Sequence, residues 1–137
     1  MMADFYIAHK LTAQNEGGYS NDPDDAGGET YKGWARKKNP QWDGWPIVDS
    51  YKGKKNFPKC LDSDTGLQKK VYAGYVRNYW NPIMGDQIIN QSVANQIYDN
   101  AVNFGVAHAV KIRQEAAGFQ KTGVMNTALL NHLNSLV

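Results

Sequence analysis

Apolar residues recur at intervals of three or four positions in five stretches of the chain, and glycine, proline or polar residues separate these stretches. This spacing places the apolar side chains on one face of an α-helix. The predicted helices span residues 3–16, 64–80, 91–104 and 106–117, with a fifth that starts near residue 126. No stretch sustains the alternation of apolar and polar residues that is typical of strands. The pattern therefore predicts a mainly α fold.

The end of the first predicted helix carries an unfavourable charge. The expected core face of this helix is Phe5, Ala8, Leu11 and Thr12, with Ile7 beside it. Gly17 and Gly18 would end the helix, since glycine accepts the left-handed conformation that follows a helix. Glu16 then lies in the last turn or just past it, where a negative charge opposes the helix dipole. This position favours the protonated form of Glu16, which is the form that a general acid needs.

Capping residues set the bounds of the other helices. Ser63 or Asp64 can cap the second helix and Ser92 the third, because short polar side chains accept hydrogen bonds from the first turn. Gly105 and Gly118 are predicted to end the third and fourth helices.

The segment 17–62 is rich in glycine and proline, and the sequence predicts a long irregular stretch there. Such a stretch in a compact domain is usually functional. Trp34, Trp42 and Trp45 lie within it, and they can either form a small satellite core or stack on sugar rings.

Length and composition indicate one domain of 137 residues that needs no disulfide, since Cys60 is the only cysteine. No run of 18 apolar residues occurs, so no membrane span is predicted. The N-terminus lacks the features of a signal peptide. We therefore expect a protein made in the cytoplasm, which would leave it, if it acts outside, by another export route or by lysis.

The net charge of +2 is unevenly distributed along the chain. Residues 16–29 carry five acids and no base, whereas residues 31–60 carry eight Lys or Arg and two acids. The basic segment is either a solvated loop or a surface that attracts a polyanion such as a bacterial wall or nucleic acid.

Glu16 and Asp25 are the candidate catalytic pair. Hydrolysis of a glycoside needs one carboxylic acid to protonate the leaving oxygen and a second group that stays ionised or directs water. The hydroxyl of Thr30 could position that water. Spacing alone leaves a simpler alternative open, in which Asp25 only caps a turn.

The sequence gives little support for a metal, nucleotide or nucleic-acid site. Asp22 and Asp24 fit the start of a calcium loop, but Gly33 occupies the position where a bidentate glutamate is required. The histidines are isolated, no phosphate loop occurs, and no nucleic-acid-binding module is recognisable. We expect no metal and no cofactor.

Three blocks of sequence carry a family resemblance. They are Glu16-Gly17-Gly18-Tyr19 with Asp25-x-Gly27-Gly28-x-Thr30, the pair Tyr79-Trp80, and Asp99-Asn100-Ala101-Val102-Asn103-Phe104-Gly105. Together they resemble family 108 of the glycoside hydrolases, the lysozyme-like N-acetylmuramidases, some of which are called secretion activator proteins.

The resemblance implies a lysozyme-like helical fold and hydrolysis of the β-1,4 bond next to N-acetylmuramic acid in peptidoglycan. It assigns the catalytic acid to Glu16. The order of Glu16, Asp25 and Thr30 also resembles that of phage-type lysozymes, which suggests that Asp25 and Thr30 handle the water.

Further residues are expected to bind the substrate. They are Tyr19, Gly28, Tyr98 and Asn103. Asp99 and Asn103 lie four residues apart on one helix face, where they can form either a buried polar network or part of the cleft floor. We expect a monomer whose partner is the glycan strand, with no nucleic acid involved.

The C-terminal part resembles the start of a peptidoglycan-binding module, from Gly123 to Asn131. We expect a catalytic domain over 1–118 and a short helical segment over 119–137 that packs on the same domain. Two alternatives to the hydrolase remain. One is a non-catalytic wall-binding or secretion-assisting protein with this fold, and the other is a polyanion-binding module that uses residues 31–60.

Overall fold

The first helix, α1, begins where the side chain of Asp4 accepts a hydrogen bond from the Tyr6 backbone N–H at 2.8 Å. The structure, a computed structural model, describes residues 2–15, 18–24 and 27–136. Helix α1 spans Phe5–Thr12 and continues as a 3₁₀ turn over Ala13–Asn15.

The buried face of α1 differs from the predicted one. Phe5, Ala8 and His9 are buried, whereas Ile7 and Leu11 are 49% and 51% exposed. The prediction was wrong for Leu11 because two apolar stripes run along this helix, and periodicity alone does not tell which of them meets the core. The face that carries Phe5 and His9 joins an aromatic cluster with Tyr98 and Trp80, described below.

Five further α-helices follow in the described part of the chain. They are α2 (Trp45–Tyr51), α3 (Thr65–Tyr75), α4 (Gln91–Phe104), α5 (Val106–Ala117) and α6 (Thr127–Ser135). Helix α3 runs into a π-helical turn over Val76–Trp80, and single 3₁₀ turns cover Lys59–Ser63 and Gly85–Gln87. None of these helices is long and apolar enough to cross a membrane.

The helix caps agree with the sequence at three of four predicted places. Asp64 accepts a hydrogen bond from the Leu67 N–H in α3, and Gly105 and Gly118 follow α4 and α5 directly. The cap of α4 is Asn90, which accepts a hydrogen bond from the Val93 N–H, and the prediction of Ser92 was wrong.

A small antiparallel sheet, absent from the prediction, lies in the segment 17–62. Its strands are β1 (Tyr19–Asn21), β2 (Glu29–Tyr31) and β3 (Trp34–Ala35), in the order β1-β2-β3. Lys32 and Gly33 form the turn between β2 and β3, both with positive φ, as tight hairpins require. The strands hold at most three residues, which is too few to produce a recognisable alternation.

The chain divides into two compact units, Asn15–Gly74 and Met1–Gln14 with Tyr75–Val137. The first unit has a tryptophan core. Trp34 and Trp42 stack with ring centroids 4.5 Å apart, and Trp42 meets Trp45 edge to face at 5.2 Å. All three rings are buried, so they form a core rather than a surface on which sugars could stack.

The second unit is built on α4, which packs against α1 and α5. Phe5, Trp80 and Tyr98 meet edge to face within it, with centroids 5.6 to 5.8 Å apart. Helix α6 packs against α5 and buries Leu129, Leu130 and Leu133.

Candidate active site

The candidate catalytic pair lies outside the described residues. In the sequence, Glu16 comes three residues before the start of β1, and Asp25 lies between β1 and β2. Their assignments therefore stay predictions, and the neighbouring residues carry the structural argument.

Thr30, the predicted partner of Asp25, is the middle residue of the middle strand. It pairs with Ser20 on β1 and with Ala35 on β3. Because neighbouring residues of a strand point to opposite faces, Thr30 lies on the face opposite that of Glu29 and Tyr31. Thr30 is half-buried and its partner Ser20 is exposed, so this face remains accessible within its unit.

Tyr19 lies on the other face of the sheet, across from Tyr31. Its hydroxyl donates a hydrogen bond to Glu29 Oε2 at 2.7 Å, and its ring meets Phe57 edge to face at 4.9 Å. Burial, followed by the hydrogen bond to Glu29, raises the pKa of Tyr19. Tyr19 thus has a defined internal partner, and its contact with sugar stays a prediction.

Gly28 is buried immediately before β2 and has a φ of +63°. A Cβ atom at this position would lie 3.0 Å from Cε of Lys37. The backbone conformation therefore favours glycine here, whereas the exposed end of the Lys37 side chain could move aside.

Glu29 is the centre of an ionic network that the sequence analysis missed. Its carboxylate accepts hydrogen bonds from Arg36 at 3.0 Å and Tyr19 at 2.7 Å and forms an ion pair with Lys52 at 2.6 Å. Arg36 also donates two parallel hydrogen bonds to Asp49, each of 2.8 Å, and Lys52 lies 2.9 Å from the same carboxylate. The guanidinium of Arg36 lies 5.1 Å from the ring centroid of Trp45.

The electrostatics of this network keep Glu29 ionised. Burial acts to raise the pKa of Glu29, but hydrogen bonds from Lys52, Tyr19 and Arg36 outweigh burial and lower it. The hydrogen bonds from Arg36 and Lys52 likewise hold the pKa of Asp49 well below its usual range. Neither carboxylate therefore carries a proton near neutral pH, and neither fits the role of a general acid.

Three other described acids of this unit, Asp22, Asp62 and Asp64, have structural roles. Asp22 is exposed and accepts a hydrogen bond from the Asp24 N–H at 2.9 Å, as in an Asx turn. Asp62 accepts a hydrogen bond from the buried Tyr31 at 2.7 Å. Asp64 accepts one from Tyr51 at 2.6 Å while it caps α3.

Tyr98 and Asn103, both on α4, have different environments. Tyr98 is completely buried, and its hydroxyl oxygen lies 2.8 Å from Nδ1 of His9. Asn103 is exposed. Asp99 accepts a hydrogen bond from Thr12 at 3.0 Å, which joins α4 to α1. The roles of Tyr98 and Asn103 in substrate binding stay predictions.

Among the described residues, no group of three His, Cys, Asp or Glu side chains lies close enough together to hold a metal ion. Residues 16 and 25 are not among the described residues.

Comparison with known proteins identifies the family to which the chain belongs. The model of glycosyl hydrolase 108 matches residues 9–105, which is most of the chain. The chain therefore belongs to glycosyl hydrolase family 108. Among solved structures, that of Brucella abortus SagA is similar, with a TM-score of 0.61 and 26% sequence identity over 97% of this chain and 70% of that chain. No curated protein matches the chain.

Family membership confirms two predictions from the sequence. The fold is mainly α and lysozyme-like, and the chain is a glycoside hydrolase that would act on a glycan.

One feature of the sequence could have predicted the ionic network around Glu29. An acidic segment precedes a basic one, and the turn at Lys32 and Gly33 folds Arg36 back beside Glu29, as the hydrogen bond from the Arg36 N–H to the Glu29 carbonyl at 2.9 Å shows. A hairpin predicted at this turn would have indicated that these opposite charges pair.

Proposed function

We propose that the protein hydrolyses the β-1,4 bond next to N-acetylmuramic acid in bacterial peptidoglycan, with Glu16 as the general acid. The observation that carries the proposal is the match to glycosyl hydrolase family 108 over residues 9–105, a range that includes Glu16, Asp25 and Thr30. The protein would act as a monomer at the cell wall, without metal or cofactor.

Four of the described carboxylates are already bound by cations or by tyrosine hydroxyls, which supports the choice of Glu16 over them. A general acid must hold its proton near the pH of the reaction. Glu29 and Asp49 are held ionised by arginine and lysine, and Asp62 and Asp64 accept hydrogen bonds from tyrosines. Glu16 follows the 3₁₀ turn Ala13–Asn15 in the sequence, and its position at a helix end, where the dipole would disfavour a negative charge, stays a prediction.

The sheet supports a role for Asp25 and Thr30 in handling the attacking water. Asp25 belongs to the connection that ends at Gly28, and Thr30 follows two residues later on the accessible face of β2. A threonine hydroxyl both donates and accepts hydrogen bonds, so it can orient a water molecule that a carboxylate activates.

The test compares hydrolysis of purified peptidoglycan by wild type and by the Glu16→Gln variant. General acid catalysis contributes about 10²- to 10⁴-fold, so we expect the release of reducing ends to fall by about that factor. Glu115→Gln is the matched control, because Glu115 is an exposed acid whose ion pair with Lys121 spans 3.8 Å. This control should retain wild-type activity.

Two outcomes would contradict the proposal. Undiminished lysis by Glu16→Gln would remove Glu16 from the mechanism. Sedimentation of the wild type with peptidoglycan, without release of reducing ends, would instead favour a non-catalytic wall-binding protein with this fold.

A further inference from the structure

Lys37 extends its side chain across the backbone of Gly28. A Cβ atom built on Gly28 would lie 3.0 Å from Cε, 3.5 Å from Cδ and 3.5 Å from Nζ of Lys37. The ammonium group therefore lies close to Gly28, which stands in the sequence between Asp25 and Thr30, the two residues proposed to handle water. Gly28 permits this approach because it has no side chain.

The charge of Lys37 is available for a ligand. Lys37 is exposed, and its ammonium forms no ion pair and no hydrogen bond with any residue that the structure describes. Arg36, its neighbour in the chain, is instead neutralised by Glu29 and Asp49, and Lys52 is bound to the same two carboxylates.

The partner of Lys37 should carry a carboxylate. The stem peptides of peptidoglycan bear free carboxylates, and an ammonium group on an exposed surface attracts them over short distances. We propose that Lys37 is a specificity residue that binds a stem-peptide carboxylate of the substrate beside the site of hydrolysis. This inference rests on the proposed function and adds to it a preference for strands that carry charged peptides.

The expected effect is moderate, because the pair would be solvent-exposed. Exposed ion pairs contribute little, and loss of one corresponds to an increase in KM of about 2- to 5-fold. Lys37 contacts no bond that is broken, so its removal should raise KM and leave kcat unchanged.

The experiment measures KM and kcat for wild type, Lys37→Met and Lys38→Met on two soluble substrates. One is glycan strands with intact stem peptides, and the other is the same material with its carboxyl groups converted to amides by carbodiimide and ammonia. Lys38 is the matched control, since it is also an exposed lysine without an ion pair among the described residues. Lys37→Arg keeps the positive charge.

We expect three results on these substrates. Lys37→Met raises KM on the charged strands about 2- to 5-fold and does not change it on the amidated strands. Lys38→Met and Lys37→Arg retain the wild-type KM on both. For the wild type, amidation itself raises KM by a similar factor, and salt reduces the difference.

Several outcomes would overturn the inference. An equal effect of Lys38→Met would indicate general attraction to the basic segment, and an equal effect of Lys37→Met on amidated strands would indicate a steric role. An unchanged KM in Lys37→Met would exclude the contact, while lysis by the wild type would leave the proposed function standing. A wild type that hydrolyses neither substrate would overturn the proposed function and this inference together.

Discussion

At the scale of single residues, the carboxylate of Glu29 has three donors of its own. Its side chain is 11% exposed, and it is bound by Arg36, Lys52 and the hydroxyl of Tyr19. With Asp49 included, the network holds two positive and two negative side chains. Each cation contacts both carboxylates, and the network ties β1, β2 and α2 together.

Replacing Glu29 should destabilise the protein more than replacing an exposed acid. Hydrogen bonds to charged groups contribute about 1.5–3 kcal/mol, so we expect Glu29→Gln to lower the free energy of unfolding by about 2 kcal/mol. The control is Asp43→Asn, because Asp43 is 68% exposed and its one ion-pair partner among the described residues is Lys70. Its loss should cost less than about 1 kcal/mol. Urea unfolding measures both changes, and equal costs would contradict the buried character of the Glu29 pair.

The same network predicts a pH dependence. The pKa of Glu29 is lowered in the folded protein, with burial opposing and the hydrogen bonds from Lys52, Tyr19 and Arg36 prevailing. A lowered pKa contributes stability that is present above the unfolded value of about 4.3 and is lost as the pH falls through the folded value. The difference in Tm between wild type and Glu29→Gln should therefore shrink as the pH falls from about 6 to about 3. A difference that is constant over this range would show that the charge of Glu29 is not responsible.

At the scale of elements, the start of α4 offers a direct test of a cap. Asn90 accepts a hydrogen bond from the Val93 N–H at 3.1 Å, whereas Ser92 is exposed and lies inside the helix. Loss of an N-cap side chain costs about 1 kcal/mol. We expect Asn90→Ala to lower the free energy of unfolding by about that amount and Ser92→Ala to change it by less than about 0.5 kcal/mol. Denaturant unfolding of the two variants measures both losses. If Ser92 were the cap, Ser92→Ala would lower the free energy of unfolding more than Asn90→Ala.

Helix α3 carries a glycine whose place is set by tryptophan packing. A Cβ atom on Gly74 would lie 2.0 Å from the ring of Trp34, which stacks on Trp42. Gly→Ala within a helix normally stabilises by about 1 kcal/mol, but overpacking costs about 1–3 kcal/mol. We therefore expect Gly74→Ala to lower the Tm. Gly66→Ala in the same helix meets only one side-chain oxygen, at 3.3 Å, and should not. A Gly74→Ala variant with a raised Tm would show that the tryptophan pair can shift.

The elements that the sequence predicted best are those with strong end signals. Helices α4 and α5 match their predicted spans because Gly105 and Gly118 follow them. Helix α2 was missed because it has seven residues and buries only Trp45 and Val48, which is too little for a periodic pattern. The strands were missed for a similar reason of length.

Part of the candidate site can be predicted from residues that are close in the sequence, and part depends on residues that come together only in the fold. Glu16, Asp25 and Thr30 come from a contiguous motif, which a single sequence displays. The network around Glu29 joins residues from β2, from the end of β3 and from α2, whose proximity depends on how the hairpin folds. A single sequence does not specify those pairings, so Arg36 and Lys52 were counted in a basic segment that was either a solvated loop or a surface that attracts a polyanion.

At the scale of the whole molecule, the C-terminal segment is joined to its unit by hydrogen bonds as well as by apolar packing. The amide of Asn134 donates to the Gln87 carbonyl at 2.9 Å and accepts from the Ile89 N–H at 3.0 Å. The buried Gln114 of α5 donates to Thr122 at 2.9 Å and accepts from the Gly123 N–H at 3.0 Å. These contacts support the proposal that residues 119–137 pack on the domain rather than form a separate wall-binding module.

Deletion of residues 119–137 should therefore unfold the protein rather than remove a module. The segment buries four large apolar side chains, namely Met125, Leu129, Leu130 and Leu133. Burial of each contributes about 1.5–3 kcal/mol, or roughly 6–12 kcal/mol together, which is comparable to the roughly 5–15 kcal/mol that stabilises a whole domain. We expect the 1–118 chain to show no cooperative thermal transition by circular dichroism and no peptidoglycan hydrolysis. Asn134→Ala, which loses only hydrogen bonds, should still melt cooperatively at a Tm a few degrees lower. A 1–118 chain that melts at the wild-type Tm and binds peptidoglycan more weakly would establish a separable binding module.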